Sequence, residues 1–185
     1  MALKIFKKFY SAFLFLQFLL AESRNKLLLK KQETQLIVGR LKAGMIFLGV
    51  GHKNGIFWLL HILKNKNVQV YAFDFPKKEN SDFSNFFKKN SIGQVDVMRV
   101  DVNGREMELF MNAQKLFSSG FSPVIFYSSF ENNTKRFNYH PVEIMWFLQD
   151  FGYKFFILDG KTGKIIPRPP YQYEGIMIAA KEQIL

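Results

Sequence analysis

Residues 97–127, VMRVDVNGREMELFMNAQKLFSSGFSPVIFY, decide how this chain folds. An apolar, β-branched run from Val97 to Val102 stops at a turn formed by Asn103-Gly104. Arg105-Glu106 then open a segment whose apolar residues recur at helical spacing, and Pro123 leads into a second apolar run, Val124 to Tyr127. Strand, helix and strand in that order are the βαβ signature of a mostly parallel sheet. In such sheets a ligand lies at the carboxyl ends of the strands, which here means around Asp101 to Gly104.

Two further stretches have the same character. In MIFLGVGHKNGIFWLLHIL, residues 45–63, an apolar strand runs into Gly49, Gly51 and Gly55, which tolerate positive φ and let backbone N–H groups approach a ligand at a helix N-terminus. VQVYAFDFP, residues 68–76, is a strand that ends in Asp74, a carboxylate suited to accept hydrogen bonds from ribose hydroxyls. On the residues alone, Gly49 and Gly51 could equally make a tight turn and Asp74 merely cap a strand. Alternation of such runs with helix-length segments predicts strands at Met45 to Val50, Val68 to Asp74, Val95 to Val102 and Val124 to Tyr127. Helices are expected near 54–65, 79–90, 105–118 and 141–151.

These motifs, with the late strand FGYKFFILDG at residues 151–160, resemble in order the FkbM-type S-adenosylmethionine-dependent methyltransferases. That family's segments read D-x-G-A-N-x-G, V-x-A-F-E-P, K-I-D-V-E-G-x-E and G-Y-x-hydrophobic. The resemblance covers roughly residues 45–165. It implies a Rossmann-like, doubly wound α/β domain of the class I methyltransferase type at 43–185, preceded by a basic helical arm at 1–42. It further implies S-adenosyl-L-methionine as cofactor, with Gly49, Gly51 and Gly55 near its amino acid portion and Asp74 on its ribose. The acceptor would be a hydroxyl of a sugar or other small molecule. Asp101 is then the candidate catalytic residue that orients or deprotonates the acceptor, with Arg99 and Glu106 as supports; a structural turn network is the alternative for all three.

The chain departs from that pattern in places with physical consequences. The acid of the first motif falls on Gly49 and its Ala-Asn pair on His52-Lys53, so a carboxylate for the cofactor's ammonium is replaced by a like charge. The expected Lys is Arg99, which changes the geometry of the charge, and the expected Glu is Asn103. Between Asn90 and Val95 there is too little chain for the strand that normally contacts adenine, so either a piece is missing or one strand stands for two. A catalytically inactive member that keeps the fold for binding or packing is therefore the alternative function.

Composition limits the remaining readings. A chain of 185 residues that is 48% hydrophobic makes one domain with a proper core, and its 22 Phe residues are expected as core filler. Without Cys there is no disulfide, thiolate-bound zinc or thiol nucleophile. His52, His61 and His140 lack metal-ligand spacing, so no metal is expected. The net charge of +11 is concentrated: residues 1–42 carry nine Lys or Arg against two Glu, or +7, leaving +4 for the rest. No nucleic-acid motif accompanies it, and no nucleic-acid partner is expected. Residues 1–21 read as an apolar helix with Lys4, Lys7 and Lys8 at its start. It is too short to span a bilayer and is expected to pack on the domain, lie on a membrane through residues 1–31, or act as a signal or anchor. The expected location is cytoplasmic, with membrane association through that arm. The sequon Asn132-Asn133-Thr134 has meaning only in a secreted chain. The stretch Pro167-Arg168-Pro169-Pro170 is expected to lead rigidly to a last strand at Gly175 to Ala180, with a docking segment as the alternative.

Overall fold

The structure, a computed structural model, describes residues 28–51, 63, 66–75 and 83–181. The apolar arm at 1–21, the helix expected at 54–65 (Leu63 apart) and Gly55, His52, Lys53 and His61 lie outside these residues.

Helix α1 runs through residues 28–40 and leads to strand β1, Ile46–Gly51. There follow β2 (Gln69–Phe73), α2 (Phe83–Lys89), β3 (Val97–Asp101), α3 (Glu106–Asn112), α4 (Gln114–Ser118) and β4 (Val124–Ser129). The chain continues through α5 (Glu131–Thr134), α6 (Pro141–Gln149), β5 (Lys154–Leu158), β6 (Ile165–Pro167) and β7 (Gly175–Ala180). Seven strands form one sheet in the order β2-β1-β3-β4-β7-β5-β6. The pairs β1–β2, β1–β3 and β3–β4 are parallel, so the four strands expected to be parallel neighbours are so. Strand β7 runs antiparallel between β4 and β5, and β6 closes an antiparallel hairpin on β5. This is the Rossmann-like α/β fold, in its mostly parallel form.

Why the central strands read as near-continuous apolar runs is clear from their two faces. Leu48, Val50, Met98, Val100, Ile125 and Tyr127 join one core with α2, α3 and α6. Phe47, Val97, Phe126 and Ile178 join a second with Ile37 and Leu41, in and just after α1, and with Leu63. Strands buried on both faces cannot show polar alternation. Because α1 closes one of the two cores, residues 28–41 pack as part of the α/β domain, on the arm's side of the boundary expected at 42–43.

The expected helix at 105–118 is two helices meeting at Ala113, whose N–H is shared between Leu109 O at 3.0 Å and Phe110 O at 3.1 Å. Such three-centre sharing tightens the last turn of a helix without breaking the path of the chain. Helix α6 starts where Pro141 fixes φ at its first position. There Glu143 Oε1 accepts the His140 N–H at 2.7 Å while His140 Nδ1 accepts the N–H of Val142 at 3.2 Å.

The short connection after β2 has a topological meaning. A doubly wound sheet of order 3-2-1-4 places a strand beyond its second one. Here β2 is the sheet edge, and the chain turns back across β1 to β3. A right-handed crossover that reverses direction must change faces. Leu63, between β1 and β2, accordingly lies in the core of α1, whereas Phe83 and Phe87 of α2 lie in the opposite core. Among the described residues no strand lies beyond β2, and β3 pairs only with β1 and β4.

Phenylalanine fills the resulting corner. Ring centroids step from Phe73 to Phe83 (5.1 Å), Phe87 (5.1 Å), Phe121 (5.2 Å), Phe117 (5.6 Å) and Phe151 (5.4 Å). Each edge or tilted contact adds about 0.5–1.5 kcal/mol to the burial of the rings. Phe87, in the middle of the series and 5% exposed, should be its most sensitive member. Phe87→Ala is expected to lower stability by about 3–5 kcal/mol, read as a fall in urea midpoint with unchanged m-value. Phe87→Leu should cost well under half of that.

Candidate functional site

Winding reverses between β1 and β3, where sheets of this kind ordinarily hold a ligand in the crevice at the carboxyl ends of the strands. Register puts Gly49 beside Arg99 and Gly51 beside Asp101. Asp74 follows directly on β2, whose Phe73 pairs with Val50. Gly51, Asp74 and Asp101 thus lie at one end of three adjacent strands, with Gly49 and Arg99 two residues further in, while Gly55 lies outside the described residues.

Gly51 has φ +134°, and a Cβ there would stand 2.0 Å from the Asp101 carbonyl oxygen. The neighbouring strand itself therefore demands a glycine, before any ligand is considered. Asp74 is exposed and makes no hydrogen bond or ion pair with another described residue.

Arg99 is 4% exposed and Glu33, on α1, 2%. Arg99 Nε donates to Glu33 Oε1 at 3.0 Å; Nη2 reaches Glu33 Oε2 at 3.5 Å and Asp101 Oδ2 at 3.3 Å. Burial raises the Glu33 carboxyl while Arg99 draws it down, and the net shift is upward. Burial alone would lower Arg99, but Glu33 and Asp101 outweigh it and hold the guanidinium above its usual range. A guanidinium is effectively always charged, and its fork meets Glu33 through two nitrogens, so an ion pair is the state of this contact at neutral pH. Glu33 escaped the sequence reading because it lies 66 positions from Arg99. Its signal was the spacing Glu33, Ile37, Leu41, which puts a carboxylate on the apolar face of a helix.

Glu106 is 1% exposed and lies beneath the turn after β3. Its Oε1 accepts the Gly104 N–H at 3.1 Å. The Tyr139 hydroxyl is 3.1 Å from Glu106 Oε2 and 2.8 Å from Gly104 O, within reach to donate to either. Asn103 and Gly104 adopt φ 54° and 96°, the left-handed region that favours these two residue types. A Cβ on Gly104 would meet Asn133 O at 2.5 Å. Burial raises the Glu106 carboxyl, partly offset by these hydrogen bonds. Its contacts are those of a turn network. Arg105 lies over the Phe75 ring at 4.7 Å and pairs with Glu108 at 2.6 Å, tying the end of β2 to the start of α3.

Two open grooves lie apart from this crevice. One, of about 430 Å³, runs between α2 and α4 past Phe87, Lys88, Lys115 and Leu116. The other, of about 530 Å³, follows α3 past Arg105, Met107, Met111, Phe137 and Tyr139. Neither includes Gly51, Asp74 or Asp101. No cluster of metal-ligating side chains occurs among the described residues.

Residues present at the crevice suit an adenosylmethionine. A free carboxylate at the end of β2 matches a ribose diol, and the half-exposed Asp101 carboxylate matches a cationic amino acid half. Among the described residues no strand flanks β2 on its outer side, where the base would lie. Comparison with known proteins agrees. The sequence matches the Methyltransferase FkbM domain family over residues 25–155. No curated protein matches the chain. Among solved structures, a SAM dependent methyltransferase from Aquifex aeolicus has 18% identity and a TM-score of 0.50, covering 84% of this chain and 91% of that one; it is a likeness of fold. A release factor-specific protein-(glutamine-N5) methyltransferase from Alicyclobacillus acidocaldarius subsp. acidocaldarius DSM 446 has 10% identity and a TM-score of 0.47, covering 85% and 93%.

Two stability outcomes follow from this geometry. Gly51→Ala should destabilise the fold by about 2 kcal/mol or more, because strand β3 must move or φ must change; thermal melting reads it. For Glu106 the folded-state pKa lies above the unfolded one. Its contribution is thus fully present below the unfolded value and lost as pH rises through the folded one. Glu106→Gln, which keeps an acceptor for the Gly104 N–H, should gain on the parent as urea midpoints are compared from pH about 4 to about 7. Glu106→Ala should lose about 1–3 kcal/mol at all pH values.

Proposed function

Because the chain belongs to the FkbM methyltransferase domain family, whose methyl donor is S-adenosylmethionine, we propose that it methylates a hydroxyl oxygen of a sugar or other small molecule. The observation that supports this most is the Asp101 carboxylate, at the carboxyl end of β3 beside Gly51, with its side chain 31% exposed and anchored from behind by Arg99. A fixed carboxylate is a natural acceptor for an O–H proton and an orienting partner for the oxygen that carries it. When bound, the cofactor supplies an electrophilic methyl group. The chain's own task is alignment: Asp101 orients or deprotonates the acceptor hydroxyl, Arg99 holds Asp101, and Asp74 holds the ribose. Glu106 and Tyr139 act at one remove, by fixing the turn on which Asp101 ends.

A second reading, a binding protein that keeps the fold without catalysis, is favoured by the lack of a strand beyond β2 among the described residues and by Gly49, which brings no carboxylate. We further propose a cytoplasmic location, where the cofactor is found, with residues 1–31 touching a membrane surface. Among the described residues no helix is long and apolar enough to cross a membrane.

Calorimetric titration of the full chain with S-adenosylmethionine separates these readings. Measurable affinity, with transfer of a labelled methyl group to a hydroxyl compound that is lost in Asp101→Asn at saturating cofactor, is the outcome expected of the enzyme. No binding at millimolar ligand is the outcome expected of the second reading. Asp74→Ala should weaken cofactor binding by roughly ten- to a hundred-fold, the loss of a charge-assisted hydrogen bond.

A further inference from the structure

The described residues place Glu33 where the crevice lacks an acid. Gly49 and Arg99 are register partners, so the guanidinium rises from β3 beside a β1 position with no side chain. The carboxylate that meets it comes from α1 instead, at 3.0 Å. Three charged groups are then held together: two carboxylates and one guanidinium, with a formal sum of −1. Both Glu33 and Arg99 are almost fully buried; only Asp101 reaches solvent, its side chain 31% exposed. The surplus negative charge therefore faces the crevice.

Without Glu33 the arrangement would work differently. Arg99 Nη2 is within bonding distance of both carboxylates, and Nη1 is buried with no partner among the described residues. A guanidinium freed from Glu33 has one carboxylate left to turn to, and a full pairing with Asp101 would neutralise the group that faces the ligand. Packing alone does not explain the acid, since an apolar residue of similar volume commonly serves a helix–sheet interface as well as a buried ion pair does.

We propose that Glu33 is a positioning residue for the cofactor site: by engaging the Arg99 guanidinium it leaves the Asp101 carboxylate charged toward the cationic methionine half of S-adenosylmethionine. This rests on the reading of the crevice as the cofactor site. The Asp101 carboxylate, of which Oδ2 meets Arg99, thereby serves both the acceptor hydroxyl and the cationic half, supplying the negative charge that the β1 position of Gly49 does not, and α1 becomes part of the ligand site without touching the ligand.

The test compares two ligands on the full chain by calorimetry. S-Adenosylmethionine carries the charged amino acid half; 5′-methylthioadenosine shares its nucleoside and lacks that half. Glu33→Gln should weaken S-adenosylmethionine by roughly ten-fold, the scale of one charge-assisted contact, and leave methylthioadenosine within about two-fold. In an Asp101→Asn background the same change should have no further effect, because Glu33 acts through Asp101. Equal weakening of both ligands, or additive losses in the double variant, would overturn the proposal while leaving the cofactor site in place. Should Glu33→Gln melt too low to titrate, Glu33→Met, an apolar side chain of similar volume, takes its place in the same comparison: selective loss of S-adenosylmethionine supports the proposal, and loss without selectivity sinks it. A parent chain that binds neither ligand would instead overturn the site reading itself, and this proposal with it.

Discussion

An arginine inside a β-sheet is the constraint around which the rest of this molecule is arranged. Arg99 occupies an inward position of a central strand, 4% exposed, where an unpaired charge would cost several kcal/mol. Its partners must come from elements packed against the same face. One is Asp101, two residues along β3; the other is Glu33, carried on a helix that must dock in a single register to deliver it. Ile37 and Leu41 complete that docking, so the apolar face of α1 and its acid are read by the sheet together. Removing either half would leave the other without reason to be there.

The turn after β3 shows the same economy on a smaller scale. Asn103 and Gly104 accept left-handed backbone, Gly104 clears Asn133, and Glu106 returns beneath the turn to bond the Gly104 N–H. Tyr139, just before α6, adds its hydroxyl from the far side. Asp101 is thus fixed at both ends: by Arg99 through its side chain and by this buried turn through its backbone. The cluster includes an acid whose pKa burial raises and a phenol whose proton burial retains, a combination suited to holding a strand end still.

Much of this was legible in the sequence because it is local. Val97 to Tyr127 shows its strand, turn, helix and strand through patterns that depend only on neighbours, and the four parallel strands followed from such patterns. The shortened connection before Val95 was visible too, though only topology shows that β2 is the outermost strand among the described residues. What could not be read is whatever depends on which distant segments meet. Glu33 counted merely as one charge in a basic arm until the fold set it against Arg99. Gly51 looked like a ligand-binding glycine, yet the backbone of Asp101 gives the glycine its first reason. The break at Ala113 was hidden because the apolar periodicity runs straight through it.

The described residues also set the outer boundary of the sheet. Strand β2, QVYAF, is the last one, and its outward backbone groups have no ladder partner among the described residues. Natural edge strands are commonly guarded by lysine, proline or a bulge; these five residues contain no charge and no proline. In colloidal terms the chain carries a self-complementary seam, short but unguarded by its own side chains, and its solubility at high concentration depends on what shields that seam.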